Sequence, residues 1–258
     1  MARPTNGASR KTGCVALRRM LSFEQETRMM LGEPYRVTDG VYVVAGSEMT
    51  DPRDCAVYLI DAGELILIDS GAGPSAPQIK RNIELLGLDP RKVSAIILTH
   101  SHIDHCGGAH FFVKELAARL IMHEADTAPV ERGDDRVTAA TWYGLRAEPV
   151  AIDTKIAGQE ERILFGDQVV TLLHTPGHTP GSLSVWMDRS GKRVLFGQDI
   201  HGPFHPDFGS NIGHWRRSMH QLISLEADIL CEGHFGVYQP KEQVRSYIEH
   251  YLAAYEKG

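Results

Sequence analysis

The stretch Thr99-His100-Ser101-His102-Ile103-Asp104-His105 contains four side chains of metal-binding type within six residues. Apolar residues 93–98 come directly before it and indicate a buried strand, and Gly107-Gly108 and a helical pattern follow it. Open α/β sheets place their ligand crevices at the carboxyl ends of strands, and imidazole with carboxylate suits zinc and its first-row neighbours. The stretch therefore predicts a metal site at a sheet edge. A solvated loop that is merely rich in histidine is the competing interpretation.

The spacing within this stretch divides its ligands between two ions. His100 and His102 are two residues apart, and in an extended segment such side chains point to the same side, where they can bind one ion. Asp104 and His105 would then turn toward a second ion. Two such sites need further ligands from elsewhere in the chain.

Four more apolar runs each end in a polar residue near a glycine, in the same form as the first. These residues are Asp69, His178, Asp199 and His234. His178 could complete a set of three histidines on the first ion, and His234 could join the last two ligands of the stretch on the second. The two carboxylate oxygens of Asp199 could bridge both ions. Asp69 is predicted to accept a hydrogen bond that orients the ligand stretch, because ligating histidines usually need such a partner.

The remaining pattern combines short strands with helices in both halves of the chain. Predicted strands cover residues 41–44, 57–60, 65–68, 93–98, 169–173, 183–186, 194–196 and 229–233. Helical spacing of apolar residues occurs around residues 79–86, 109–116, 219–223 and 244–255. No linker rich in Pro, Gly and Ser separates the halves, so the sequence predicts an α/β protein with one domain over residues 35–258.

These motifs resemble those of the metallo-β-lactamase superfamily, whose five motifs occur here in the family's order, from about Tyr35 to the C-terminus. The motif residues are Asp69, the run from His100 to His105, His178, Asp199 and His234. The resemblance implies a four-layer αββα sandwich with two metal ions, commonly zinc, at one edge. It implies that His100, His102 and His178 hold the first ion, that Asp104, His105 and His234 hold the second, and that Asp199 bridges them. Class B β-lactamases lack the bridging aspartate, so Asp199 favours the hydrolase branches of the family.

The expected chemistry follows from two adjacent cations. They share a water and lower its pKa towards about 7, which yields hydroxide at neutral pH, and they polarise a carbonyl or phosphoryl oxygen. A hydroxide that bridges the metals is the predicted nucleophile, with Asp104 and Asp199 as the catalytic residues that hold it. Asp104 could also pass a proton to the leaving group. The sequence thus predicts a hydrolase with two zinc ions per chain that cleaves a small-molecule ester, lactone or thioester.

The segment after Asp199 is predicted to shape the substrate pocket. His201 and His205 are its candidate substrate-binding residues, because they follow the bridging aspartate directly. Candidate aromatic lining residues are Trp142, Tyr143, Phe204, Phe208 and Trp215. Lactonases of the family carry a tyrosine shortly after this aspartate, whereas this chain has His201, Phe204 and Phe208. Glyoxalase II enzymes carry a helical domain after the last histidine, whereas 24 residues follow it here.

Two other functions stay open at this point. Persulfide dioxygenases share the His-x-His-x-Asp-His run but hold one iron with two histidines and an aspartate, a set that His100, His178 and Asp199 would supply. Ligand type alone does not separate zinc from iron, whereas oxygen consumption with glutathione persulfide would. A non-catalytic metal-binding scaffold would bind metal tightly and turn nothing over.

Charge and composition narrow the partners and the compartment. Residues 1–23 hold five basic and no acidic residues, which is typical of a disordered extension, and the rest of the chain has 22 basic against 33 acidic residues. That acidic body argues against nucleic acid as a partner, and no run reaches the roughly 18 apolar residues of a membrane span. A homo-oligomer stays open. Four cysteines without C-x-x-C spacing, and no apolar run after the N-terminal charges, favour the reducing cytoplasm.

Overall fold

The computed structural model describes residues 32–255, so the predicted basic extension at residues 1–23 lies outside the described residues. The strands are β1 (Tyr35–Thr38), β2 (Val41–Ala45), β3 (Val57–Asp61), β4 (Leu65–Ile68), β5 (Val93–Ile97), β6 (Arg119–His123), β7 (Thr154–Ile156), β8 (Glu160–Phe165), β9 (Gln168–His174), β10 (Leu183–Arg189), β11 (Lys192–Gln198), β12 (Ile229–Glu232) and β13 (Val237–Tyr238). The helices are α1 (Ala76–Leu85), α2 (Ile103–Cys106), α3 (Ala109–Leu116), α4 (Glu124–Arg132), α5 (Ala140–Tyr143), α6 (Ile212–Ser224) and α7 (Lys241–Tyr255). Short 3-10 turns lie at Pro90–Lys92 and Pro206–Phe208.

The described strands form two sheets, one from each half of the chain. The first sheet runs β1 to β7 in chain order, and the second has the order β13-β12-β11-β10-β9-β8. Strands β4 to β7 are parallel neighbours, as are β11 and β12, whereas the other pairs are antiparallel. Parallel strands end at the same edge of a sheet, so the segments that follow β4, β5, β11 and β12 can meet there.

Strand β4 shows why the first sheet is buried on both faces. Its four residues are all apolar, and successive side chains of a strand point to opposite faces. Ile66 therefore packs between the two sheets, whereas Leu67 packs on the outer face with Ile79 and Ile83 of α1. Burial of each such side chain contributes roughly 1.5–3 kcal/mol, and it fixes α1 against the sheet.

The second sheet is covered in the same way on its outer face. Val194 of β11 points into the interface between the sheets, and its neighbour Leu195 packs with Met219 of α6 and Ile248 of α7. The layers are thus helices, sheet, sheet and helices. The predicted four-layer αββα sandwich is confirmed.

Among the helices of residues 32–255, none combines the length and the apolar character that a bilayer crossing requires.

Candidate metal centre

The predicted ligands converge at one edge of the two sheets. They follow β5, β9, β11 and β12, each of which ends where a polar loop begins. Six of them are buried and His234 is half-buried; the set is His100, His102, Asp104, His105, His178, Asp199 and His234. Side chains separated by more than a hundred residues of sequence therefore lie within a few ångströms of one another.

A first group of donor atoms comes from three histidines. His102 Nδ1 lies 3.0 Å from His100 Nε2 and 2.9 Å from His178 Nε2. Asp199 Oδ2 lies 3.4 Å from His178 Nε2 and 3.9 Å from His100 Nε2. These four atoms all lie within 4.8 Å of one another, as the ligands of one ion would.

A second group lies on the other side of Asp199. His105 Nε2 lies 3.3 Å from His234 Nε2, which in turn lies 3.3 Å from Asp104 Oδ2. Asp199 Oδ1 lies 3.2 Å from both ring nitrogens. The two oxygens of Asp199 therefore face different groups.

These distances are of the size that separates neighbouring ligands of one metal ion. Zinc binds histidine nitrogen and carboxylate oxygen at about 2.0–2.1 Å, which sets neighbouring ligand atoms about 3.3 Å apart. Within residues 32–255, Asp199 Oδ1 is buried and accepts no well-aligned hydrogen bond, although two imidazole nitrogens lie 3.2 Å away, as expected of an oxygen that faces a cation-binding point. The donors are the nitrogen and oxygen types that zinc and similar ions prefer.

Burial lowers the pKa values of the three histidines in the first group, which favours metal binding. It lowers the pKa of His100 and of His102 well below the ordinary value of a histidine, and it lowers the pKa of His178 to about 4. These rings are neutral at pH 7, so each keeps a lone pair for an ion.

The second group carries more charge. Burial works against a proton on His234, but the negative charge of Asp199 outweighs it and raises the pKa of His234 to about 9. Burial also disfavours ionised Asp199, yet the charges of His234 and His105 hold the pKa of Asp199 well below its usual range. A metal ion bound here would displace protons from the imidazoles.

Asp69 and Pro203 each contact the Nδ1 atom of a histidine ring whose Nε2 atom belongs to a donor group. His105 Nδ1 lies 2.7 Å from Asp69 Oδ2, while Asp69 Oδ1 accepts a 2.8 Å hydrogen bond from the backbone N–H of Thr99. The carbonyl oxygen of Pro203 accepts a 2.9 Å hydrogen bond from His178 Nδ1. With a proton on Nδ1, each ring directs the lone pair of Nε2 into its group.

Sequence reasoning missed Asp126, which connects two ligand loops. This buried carboxylate of α4 accepts hydrogen bonds from the N–H of Ser101 at 3.1 Å, the hydroxyl of Thr179 at 2.6 Å and the N–H of Gly181 at 2.7 Å. Burial raises its pKa. In the sequence it looks like an ordinary acid in the first turn of a helix, so no local signal marks it.

Glu232 was also missed, although an acid at the end of the apolar strand β12 is a signal. Its Oε2 accepts hydrogen bonds from the N–H of His234 at 2.6 Å and of Phe235 at 2.8 Å. Its Oε1 lies 3.0 Å from His201 Nδ1. The buried Glu232 side chain thus shapes the turn that carries His234 and ties His201 to it.

The two candidate pocket histidines lie in different places. The His201 ring is 5.1 Å from the His234 ring, beside the second group. The His205 ring belongs to neither donor group and lies 5.3 Å from both Trp142 and Phe208. Phe208 in turn is 4.4 Å from the His102 ring, so the Phe208 ring lies next to both histidines.

The candidate aromatic residues occupy different environments. Trp142 is 57% exposed, and its ring lies 4.8 Å from that of Phe208. Tyr143 donates a 2.9 Å hydrogen bond from its hydroxyl to Asp104 Oδ2. Trp215 is buried with the helices on the second sheet and donates to the carbonyl of Ile200, so it supports the site from within the core and does not line a pocket.

Comparison with known proteins identifies the relatives of this chain. A family model described as the metallo-beta-lactamase superfamily matches residues 50–234. The acyl-coenzyme A thioesterase MBLAC2 of Gallus gallus is 31% identical over 199 residues, which cover 67% of this chain and 69% of that protein. A probable metallo-hydrolase of Methanocaldococcus jannaschii is 25% identical over 173 residues, 67% of this chain and 76% of the relative. Among solved structures, the subclass B3 metallo-beta-lactamase BJP-1 of Bradyrhizobium japonicum superimposes with a TM-score of 0.73 at 25% identity, covering 87% of this chain and 92% of that one.

Proposed function

The chain belongs to the metallo-beta-lactamase superfamily of hydrolases, and we propose that it uses two metal ions, of the zinc type, to cleave a thioester or a small ester or lactone. The observation that carries this proposal is the position of Asp199. One of its oxygens faces three histidines and the other faces His105 and His234, as a carboxylate shared by two ions would. When bound, such ions lower the pKa of a shared water and polarise a carbonyl oxygen.

The chain's own residues would hold and move the reacting groups. Asp104 Oδ2 lies 3.3 Å from Nε2 of the half-buried His234, where it would accept a proton from a nucleophilic water at the second group. Asp199 would keep the first and second groups of ligands at a fixed distance from each other. His201, held by Glu232 beside His234, would contact the substrate at this side.

Two exposed aromatic side chains favour a substrate with an apolar part. Trp142 is 57% exposed next to Phe208, whose ring packs on His102. Phe235 is 39% exposed beside His201. Aromatic side chains beside a site with a few polar groups can contact the apolar part of a ligand. The Gallus gallus relative is named for its action on acyl-coenzyme A, and an acyl thioester combines a reactive carbonyl with an apolar chain.

The compartment belongs to the same proposal. Cys55, Cys106 and Cys231 are free and buried, as expected for a protein of the reducing cytoplasm. We expect a small-molecule substrate there and neither nucleic acid nor a membrane as a partner.

The test combines metal analysis with a substrate panel. Protein purified without added metal should contain about two zinc per chain, and it should hydrolyse acyl thioesters, esters or lactones but not the β-lactam nitrocefin. Asp199→Ala should bind fewer metal ions and lose at least about 100-fold in turnover. Asp167→Ala, an exposed acid in the turn between β8 and β9, is the matched control and should match wild type.

One iron per chain with oxygen consumption on glutathione persulfide would overturn the proposal. Full metal content with no turnover on the whole panel would also contradict it, because a scaffold would behave in that way.

A further inference from the structure

The hydroxyl of Tyr143 contacts the second donor group of the candidate centre. It donates a 2.9 Å hydrogen bond to Asp104 Oδ2, the same oxygen that lies 3.3 Å from His234 Nε2. Tyr143 is half-buried and its neighbour Trp142 is 57% exposed, so the short helix that carries both borders solvent. The hydroxyl of Tyr143 is therefore hydrogen-bonded to a carboxylate of the candidate centre from a helix at the edge of the site.

The fold holds this hydroxyl in place. The segment before α5 is tied to the ligand stretch, because the N–H of Ile103 donates a 2.7 Å hydrogen bond to the carbonyl of Thr138. Left-handed residues bound the short helix on both sides, with φ of 59° at Ala139 and 65° at Gly144. For alanine this conformation is unfavourable, and such residues persist where surrounding contacts enforce them. Tyr143 is thus positioned by backbone contacts to the ligands and is not a free surface side chain.

We infer that Tyr143 is a further catalytic residue, whose hydroxyl gives a proton to the leaving group. This inference rests on the proposed hydrolysis. In the step, water oxygen bonds to the carbonyl carbon and its proton passes to Asp104 Oδ2. The bond from carbon to the leaving atom breaks, and its electron pair stays on that atom. The Tyr143 hydroxyl proton transfers to the leaving atom while Asp104 returns its proton to the Tyr143 oxygen, so one water is consumed and an acid with an alcohol or thiol is formed.

A proton donor matters most when the leaving group is a strong base. An alcohol has a pKa near that of water, about 15.7, so its anion leaves poorly without a proton. A phenol, with a pKa of about 10, or a thiol, at about 8.5, leaves readily as the anion. The loss of Tyr143 should therefore depend on the leaving group, whereas a residue that only positions Asp104 would affect all substrates alike.

The test is Tyr143→Phe, measured on metal-loaded protein with ethyl, phenyl and thiol esters of the same acid. We expect kcat for the ethyl ester to fall by about 100-fold and kcat for the phenyl and thiol esters to fall by less than about 5-fold, with metal content unchanged. Tyr42→Phe, which removes the hydroxyl of a half-buried tyrosine on β2, is the matched control and should leave turnover of all three substrates unaffected. An equal loss on all three esters, no loss at all, or loss of metal in Tyr143→Phe would overturn the inference.

A binding measurement separates this inference from the proposed function. An ethyl phosphonate monoester resembles the tetrahedral stage of ester cleavage and offers oxygens to the Tyr143 hydroxyl without being hydrolysed. We expect metal-loaded Tyr143→Phe to bind it about ten-fold more weakly than wild type. If wild type hydrolyses no thioester, ester or lactone but this weakening persists, the proposed function fails and the placement of Tyr143 stands. If binding is equal in the two proteins, the Tyr143 inference fails whatever the turnover.

Discussion

Asp69 controls which nitrogen of His105 carries the proton. Its Oδ2 lies 2.7 Å from His105 Nδ1, and its Oδ1 accepts from Thr99, so an acceptor faces the ring. Asp69 also adopts φ of 64°, a left-handed conformation that is uncommon outside glycine, asparagine and aspartate. The Asp69 carboxylate is held in this position by its contacts with the ligand stretch.

Asp69→Asn should therefore weaken the second ion in preference to the first. An amide can present an N–H to His105 Nδ1, which moves the ring proton to Nε2 and removes the lone pair that faces the metal. We expect the affinity of the second ion to fall about 10-fold to 100-fold, measured by competition with a chromophoric chelator. Asp167→Asn serves as the control, and equal affinities in the two variants would contradict the role of Asp69.

At this scale the sequence predicted the side chains that share a recurring form. Asp69, His178 and Asp199 each follow an apolar strand, and strand ends meet at one edge, so their convergence could be expected. Asp126 and Tyr143 could not be found in this way. Asp126 acts through three hydrogen bonds and Tyr143 through one, all to residues far away in the sequence, and nothing nearby in sequence records those partners.

The loop between β9 and β10 depends on a close approach to α6. Gly177 has φ of 146°, and a Cβ added there would lie 2.3 Å from the backbone of Trp215 in α6. Its carbonyl accepts a 2.8 Å hydrogen bond from the N–H of Asn211, which caps that helix. The helix and the His178 loop are thus in direct backbone contact.

Gly177→Ala should destabilise the protein and displace His178. Overpacking and an unfavourable backbone conformation together should lower the free energy of unfolding by at least about 2 kcal/mol, measured by urea denaturation, and should reduce affinity for the first ion. Gly63→Ala is the control, since Gly63 also has positive φ, at 88°, but has open space around it. If both variants lost the same stability and bound metal equally well, contact with α6 would not be the cause.

Elements were predictable where the apolar pattern is strong. Strands β4, β5 and β9 and helices α6 and α7 occur where periodicity placed them. The strands β1, β6, β7, β8 and β13 and the helices α2, α4 and α5 were not predicted. Of these, β7, β13 and α5 have two to four residues each, too few to show a period, and they form because tertiary contacts hold them.

The two halves of the molecule also meet through a pair of stacked histidines. His123 ends β6 in the first sheet and His174 ends β9 in the second, and their rings lie 3.7 Å apart with an angle of 11° between the planes. The interface between the sheets follows from apolar alternation in each strand, which the sequence displays. This polar contact, like the four-layer order of the fold, needs information that no single strand contains, and the four-layer order was predicted only through the family resemblance.

His123 should make folding stability sensitive to mild acid. Burial, followed by the neighbouring His174, lowers the pKa of His123 to about 4, whereas an unfolded histidine has a pKa of about 6.5. The unfolded chain therefore takes up this proton first, so the contribution of His123 to the free energy of unfolding is complete above pH 6.5 and is lost as the pH falls towards 4.

In His123→Asn, whose side-chain oxygen can still accept the hydrogen bond from the N–H of Ala125, the free energy of unfolding should fall less between pH 7.5 and 4.5. Urea denaturation of metal-free protein measures this difference, with exposed His220→Asn on α6 as the control. Parallel pH profiles for wild type and His123→Asn would show that protonation of His123 does not contribute to the pH dependence of the free energy of unfolding.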